Sequence, residues 1–169
     1  VDLCGRQLAS ASPLSRTYGC MPMKTLEQVG EFLSTESGLA VVSTVRADNS
    51  VLSSVVNCGL VEHPLTKAPS VAFVSGGSAA RLTHINRGSW ATIAVRRGWQ
   101  WVSVSGPVDV LGPETLHDRF AAEDLRLLLR RVFSAAGGDH DDYEEYDRAM
   151  AAEGRVALLV APNRVLGNT

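Results

Sequence analysis

Disulfide chemistry is the first thing the sequence lacks. Cys4, Cys20 and Cys58 are an odd number with no CxxC pair in 169 residues, which argues against a disulfide scaffold or a zinc site and suits a reducing cytoplasm. Cys58 reads as a buried free cysteine rather than a reactive thiol. An excess of one charge is also missing. The net charge of -2 offers no basic stripe for nucleic acid. No apolar run approaches the roughly 18 residues of a membrane span, and the first twenty residues lack the continuous apolar core of a secretory signal. There is no GxxxxGK[ST] for a nucleoside triphosphatase and no HxxxH or HExxH for a metal. His63, His84, His117 and His140 are scattered, so no Ser-His-Asp set can be argued from spacing.

What is present is an ordinary soluble composition, 45% hydrophobic and 20% charged, in a length suited to one domain. Residues 1–23, rich in Ser, Ala and Gly, read as an arm or extension, with Met21 and Met23 near where residues 24–169 begin a folded domain. "KTLEQVGEFLS" spaces Leu26, Val29, Phe32 and Leu33 as one helical stripe with Gly38 as a stop. "LAVVSTV" is a strand, Asp48-Asn49 a tight turn, and Val51 to Leu60 the return strand. On that strand Leu52, Val56, Cys58 and Leu60 share a core face, and Ser53, Val55 and Asn57 share the other. "SVAFVS" is a third strand, and "AARLTHINR" a short helix capped by the Ser78 hydroxyl. "WATIAVR" and "WQWVSVSGPVDV" form a hairpin through Arg97-Gly98, the second arm carrying Trp99 and Trp101 on its polar face. "GPETLHDRFAAEDLRLLLRRVFSAAGG" is expected to be helical from Pro113 on, "DDYEEYDRAMAAEG" is a further helix, and "RVALLVAPNRVLG" closes with a strand.

The order is αβββαββααβ. Strands that follow one another through short turns exclude a dinucleotide-binding parallel sheet. Six antiparallel strands with few helices predict a closed barrel, of mainly β or α+β class.

The corner Ser75-Gly76-Gly77-Ser78 with Arg81 behind it carries the chemistry. Glycines allow close approach of backbone N–H groups to an anion, the serines add hydroxyls, and Arg81 can grip a phosphate through two N–H groups. A capped strand-to-helix turn with a surface arginine accounts for the same residues.

Four stretches in this order, "LAVVSTVRADNSVLSSVV", "FVSGGSAARLTHINRGSWATIAV", "WVSVSGPVDVL" and "YDRAMAAEGRVALLVAPNRVLG", cover Thr25 to Gly167. They resemble the split β-barrel flavoproteins of the pyridoxamine 5'-phosphate oxidase-like family, and in particular the actinobacterial flavin/deazaflavin oxidoreductases that use coenzyme F420. The resemblance implies a six-stranded split barrel and a cytoplasmic homodimer holding F420, or FMN, in a groove between two barrels. The family's basic residue at the cofactor phosphate corresponds to Arg81, beside Ser75, Gly76, Gly77 and Ser78. Ser53, Val55 and Asn57 fall on the strand that lines the ring in relatives, and Trp101 or Trp99 would meet the acceptor. Thr83-His84-Ile85 and Gly88-Ser89 depart from the family's pattern. The implied activity is hydride transfer between reduced F420 and a small unsaturated or conjugated acceptor. The alternatives are an FMN oxidase or reductase and a non-catalytic flavin-, deazaflavin- or tetrapyrrole-binding protein.

Two charged stretches remain. "DHDDYEEYD" reads as a solvated helix start. Arg126, Arg130 and Arg131 read as partners of nearby acids, with an F420 polyglutamate tail as the other use.

Overall fold

The structure is a computed structural model and describes residues 24–88 and 90–168; residues 1–23, read above as an arm and including Cys4 and Cys20, lie outside the described residues with Ser89 and Thr169. Helix α1 (Leu26–Thr35) starts at a reciprocal cap in which the Thr25 side chain accepts from Gln28 N–H and the Gln28 side chain accepts from Thr25 N–H. It buries Val29, Phe32 and Leu33, the stripe expected from spacing. It ends at Gly38, whose φ of 73° and close approach to the Ala136 and Cys58 carbonyls leave no room for a side chain.

Strands β1 (Leu39–Val45), β2 (Val51–Glu62), β3 (Pro69–Ser75), β4 (Trp90–Arg97), β5 (Gln100–Leu111), β6 (Val156–Val160) and β7 (Arg164–Gly167) pair antiparallel in the order β4-β1-β2-β3-β6-β5-β7, and β4–β5 pairing closes the ring. The six-stranded antiparallel barrel is therefore closed, with β7 as an extra strand on β5. The two long strands serve both halves of the barrel. β2 pairs with β1 through Asn57 and with β3 from Cys58 on. β5 pairs with β7 over Val102 to Ser105 and with β6 over Val108 to Leu111. Gly106 sits at the change of partner, where any side chain would overlap the Ala161 carbonyl.

Inward-facing Phe73, Val102, Val104, Leu158 and Val160 fill the barrel and meet α1. Helices α3 (Ala122–Ala135) and α4 (Tyr143–Ala152) cover the outside of β3 and β6, burying Ala72, Ala157 and Leu159 against Leu128, Val132 and Tyr146. All five residues of β6 are consequently buried. The outside of β1, β4 and the first halves of β2 and β5 has no such cover among the described residues, whereas α3 lies against the second half of β2 at Gly59. Leu39, Val41, Val45, Val51 and Val55 stand 41% to 64% exposed on the uncovered part.

Four sequence expectations need correction. The last strand is two strands, β6 and β7, which pair with successive segments of one edge of β5 and are separated by Ala161–Asn163. Pro113 opens only a 3-10 turn, Pro113–Thr115, and a His117↔Phe120 bridge precedes α3, so the long helix starts at Ala122. Helix α2 (Ala80–Ile85) is capped at Ala79 with no side-chain hydrogen bond, so Ser78 does not cap it. The β4–β5 hairpin turns at Gly98-Trp99, with Arg97 opposite Gln100 and Gly98 at φ 60°. Trp99 is thus at a hairpin tip and 95% exposed, not on the strand face.

Candidate functional site

β3 delivers Ser75, buried, to the corner, and Gly76 N-terminal to α2 accepts a hydrogen bond from Ala79 N–H. The two glycines differ in purpose. A side chain at Gly76 would meet nothing, whereas one at Gly77 would strike the Gly154 carbonyl, so Gly77 is required for packing against the turn after α4. Gly77 also lines a cleft of about 560 Å³ with Leu82, Asn86, Val110 and Glu114. Ser78 is exposed. At six residues, α2 is too short for a helix dipole to supply much charge, so the corner's positive charge rests on Arg81.

Arg81 is half-buried, with its guanidinium 5.6 Å from the centre of the Phe73 ring. Burial pulls its pKa down, opposed by the neighbouring Cys58. Among the described residues it makes no hydrogen bond or ion pair. A guanidinium held against an aromatic ring and left without an acceptor has donors ready for an anion. Cys58 itself is fully buried, and burial pushes its thiol up to about 12, which agrees with the inert reading. His84, on the same short helix, is buried and pairs through Nδ1 with Thr44 Oγ1 at 3.1 Å.

The other predicted residues lie on the bare sheet face. Ser53, Val55 and Asn57 all point outward from β2, as the alternation required. Register adds what no single strand shows. Ser53 lies opposite Ser43, Ser43 opposite Thr92, Thr92 opposite Ser105, and Ser105 opposite Arg164. A line of hydroxyls crosses four strands, paired Ser43–Ser53 at 2.8 Å and Thr92–Ser105 at 2.9 Å. A neighbouring row, Val55–Val41–Ala94–Ser103, is mainly apolar. Asn57 is less available, since its amide donates to the Ser37 carbonyl at 2.9 Å.

Two adjoining hollows, of about 440 and 280 Å³, share Val41, Ala94, Arg96 and Gly98 on this face. Trp99 and Trp101 line the first, Leu39 and Val55 the second. Asn168 fixes the hairpin that carries both tryptophans, accepting from Trp101 N–H at 2.8 Å and donating to the Trp99 carbonyl at 2.9 Å. Nothing in the sequence marks Asn168 for this task, because its partners are nearly seventy positions away. The predicted residues therefore divide into two groups, a corner around Arg81, of which Gly77 lines the cleft of about 560 Å³, and a flat apolar–hydroxyl face, of which Val55 and Trp101 line the two hollows.

The two charged stretches are structural. Asp142 caps α4 by accepting from Glu144 and Glu145 N–H groups. Arg126 pairs with Glu123 and Asp147, and Arg130 with Asp147 at 2.5 Å. Arg126 and Arg130 are partners of nearby acids, one of the two readings of the sequence, whereas Arg131 is exposed and makes no such pair among the described residues. No helix among the described residues is long and apolar enough to cross a membrane.

No family model matches the chain, and no curated protein matches it. Solved structures do. A conserved hypothetical protein from Mycobacterium tuberculosis superposes with a TM-score of 0.62 at 13% identity, covering 87% of this chain and 85% of that one. A pyridoxamine 5'-phosphate oxidase-related, FMN-binding protein from Nostoc punctiforme gives 0.56 at 12%, covering 83% and 79%. A structure described as an F420 reductase gives 0.52 at 12%, covering 75% and 87%. At these identities the likeness is one of fold, and the fold is the split β-barrel of the pyridoxamine 5'-phosphate oxidase type.

Proposed function

We propose that this chain is an oxidoreductase that binds a phosphate-bearing flavin-type cofactor, coenzyme F420 in the first instance, and reduces a small unsaturated or conjugated acceptor. The observation that carries the proposal is Arg81, a half-buried guanidinium with no acidic partner among the described residues, set behind Ser75 at the end of β3. An unpaired, partly desolvated cation costs stability unless an anion meets it. The solved structures of this fold include one described as an F420 reductase and one described as FMN-binding.

The residues present fit such a group in part. Arg81 and Ser75 would hold the phosphate, with Gly76 leaving the approach open and Ser78 at its rim. Ser53, Val55 and Trp101 would support a planar ring, for which apolar surface with a few hydroxyls is suitable. Asn57 has its amide engaged with Ser37, and Gly77 faces the α4–β6 turn, so both act through backbone position. The bound cofactor supplies the hydride; the chain's tasks are to orient it, to exclude water and to seat the acceptor. No side chain here is assigned as a proton donor.

The bare face of β1, β2, β4 and β5 is assigned to a second copy of the chain. Five half-exposed aliphatic side chains with Trp90 and Trp99 form one outward surface, of the kind that marks an interface. A homodimer through this face would place the Trp99 hairpin of each copy near the ring site and enclose the cofactor between barrels. Fluorescence titration of the purified protein with F420 and with FMN tests the reading. Saturable F420 binding is expected. Tight FMN binding without response to F420 would replace the deazaflavin with a flavin, a reading favoured by the FMN-binding neighbour. Binding of neither would overturn both.

A further inference from the structure

A separate cleft lies on the helix-covered half of the molecule, between α3, α4 and the 3-10 turn at Pro113–Thr115, with a volume of about 530 Å³. It owes its existence to the way α4 is attached. Of the ten residues of α4, only Tyr146 is buried. The first half of the helix is fastened by Asp147 to Arg126 at 2.8 Å and to Arg130, and by the Tyr146 hydroxyl donating to the Leu129 carbonyl at 3.3 Å. Met150 packs on the buried cluster that contains Leu125 and Leu129, and with Ala151 and Leu116 it lines the cleft. Those lining residues are aliphatic.

The polar lining is uneven in charge, with Arg126, Arg148 and Arg155 against Asp147 alone. Two of the arginines are engaged, Arg126 by Glu123 and Asp147 and Arg155 by Glu153 at 2.6 Å. Arg148 is exposed, makes no hydrogen bond or ion pair among the described residues, and acts on Asp142 only at longer range. The cleft thus combines an aliphatic interior of ligand size with an uncommitted guanidinium at its rim.

We propose that this cleft is a second ligand site, distinct from the cofactor face, which takes an aliphatic monocarboxylate with its chain between Leu125, Leu129 and Met150 and its carboxylate on Arg148. The alternatives, a neutral apolar ligand or a protein segment, lack a use for the free arginine. Because the chain has three methionines, Met21, Met23 and Met150, methyl-labelled methionine reports the cleft directly. The full chain is titrated with decanoate and with 1-decanol while the methyl resonances are followed, Met150 being assigned by its loss in Met150→Leu. The Met150 resonance is expected to shift saturably with decanoate, and about tenfold more weakly with decanol. Arg148→Ala is expected to remove that preference and Arg148→Lys to restore most of it. A Met150 resonance unmoved by decanoate, or equal affinity for decanoate and decanol, overturns the proposal. Circular dichroism of each variant confirms that the fold is intact.

Discussion

Replacing Val55 by aspartate tests the assignment of the bare sheet face. Val55 is 64% exposed at the centre of the outer surface of β2, so within one chain the substitution changes stability by no more than about 0.5 kcal/mol. In a symmetric dimer it acts twice. Completing the burial of five half-exposed aliphatics contributes about 1 kcal/mol each, or about 10 kcal/mol over two copies, which is comparable to the association cost of about 4–15 kcal/mol. Such an interface cannot absorb two desolvated, unpaired carboxylates at several kcal/mol each. The expected loss is at least about 4 kcal/mol, roughly a thousandfold in dimer affinity. Sedimentation velocity at micromolar concentration should show a dimer for the unmodified chain and a monomer for Val55→Asp, with unchanged thermal melting of the monomer signal. A Val55→Asp chain that remains dimeric, or an unmodified chain that is monomeric at tens of micromolar, would remove this face as the interface.

Three further outcomes are expected. Gly106→Ala should destabilise the fold by about 2–4 kcal/mol in urea titration, because the added methyl overlaps the Ala161 carbonyl where β5 changes partner; a loss below about 0.5 kcal/mol would contradict the close approach. Cys58 should resist iodoacetamide at pH 8.5 in the folded chain and react after denaturation, since burial raises its thiol to about 12. Asp147 has its carboxyl held below the usual range, first by the Arg130 hydrogen bond, so its contribution is present above the ordinary carboxylate pKa and is lost as pH falls through the depressed value. Asp147→Asn should therefore cost about 1–2 kcal/mol at pH 7, with the difference from the unmodified chain closing as pH falls below the ordinary carboxylate range; a pH-independent difference would show that the charge is not responsible.

The sequence conveyed the succession of elements well because each strand carries its own alternation. Leu52, Val56 and Cys58 against Ser53, Val55 and Asn57 divided β2 correctly into inner and outer faces. The order of strands without crossover helices was enough for a barrel. What it could not convey depends on partners far along the chain. The hydroxyl line Ser53–Ser43–Thr92–Ser105 exists only in register, and the break between β6 and β7 falls beside Gly106 of β5, which a single strand's pattern does not show. In sequence Gly77 reads as a cradle for an anion, yet the Gly154 carbonyl beside it is the constraint. Ser78 had the chemistry of a cap, but the backbone turned one residue later. A turn at Arg97-Gly98 puts Trp99 on a strand face; the pairing of Arg97 with Gln100 moves the turn to Gly98-Trp99. Arg81 was legible as a candidate from its place after the corner; its lack of an acidic partner became visible only in three dimensions.

The central claim, that Arg81 anchors a cofactor phosphate, is tested most directly by comparing cofactor affinity of the unmodified chain with Arg81→Ala, following fluorescence on titration with F420 and with FMN. Loss of a charge-assisted contact of about 1.5–3 kcal/mol predicts affinity lower by about ten- to 150-fold for whichever cofactor binds. Equal affinity for the two proteins would contradict the account.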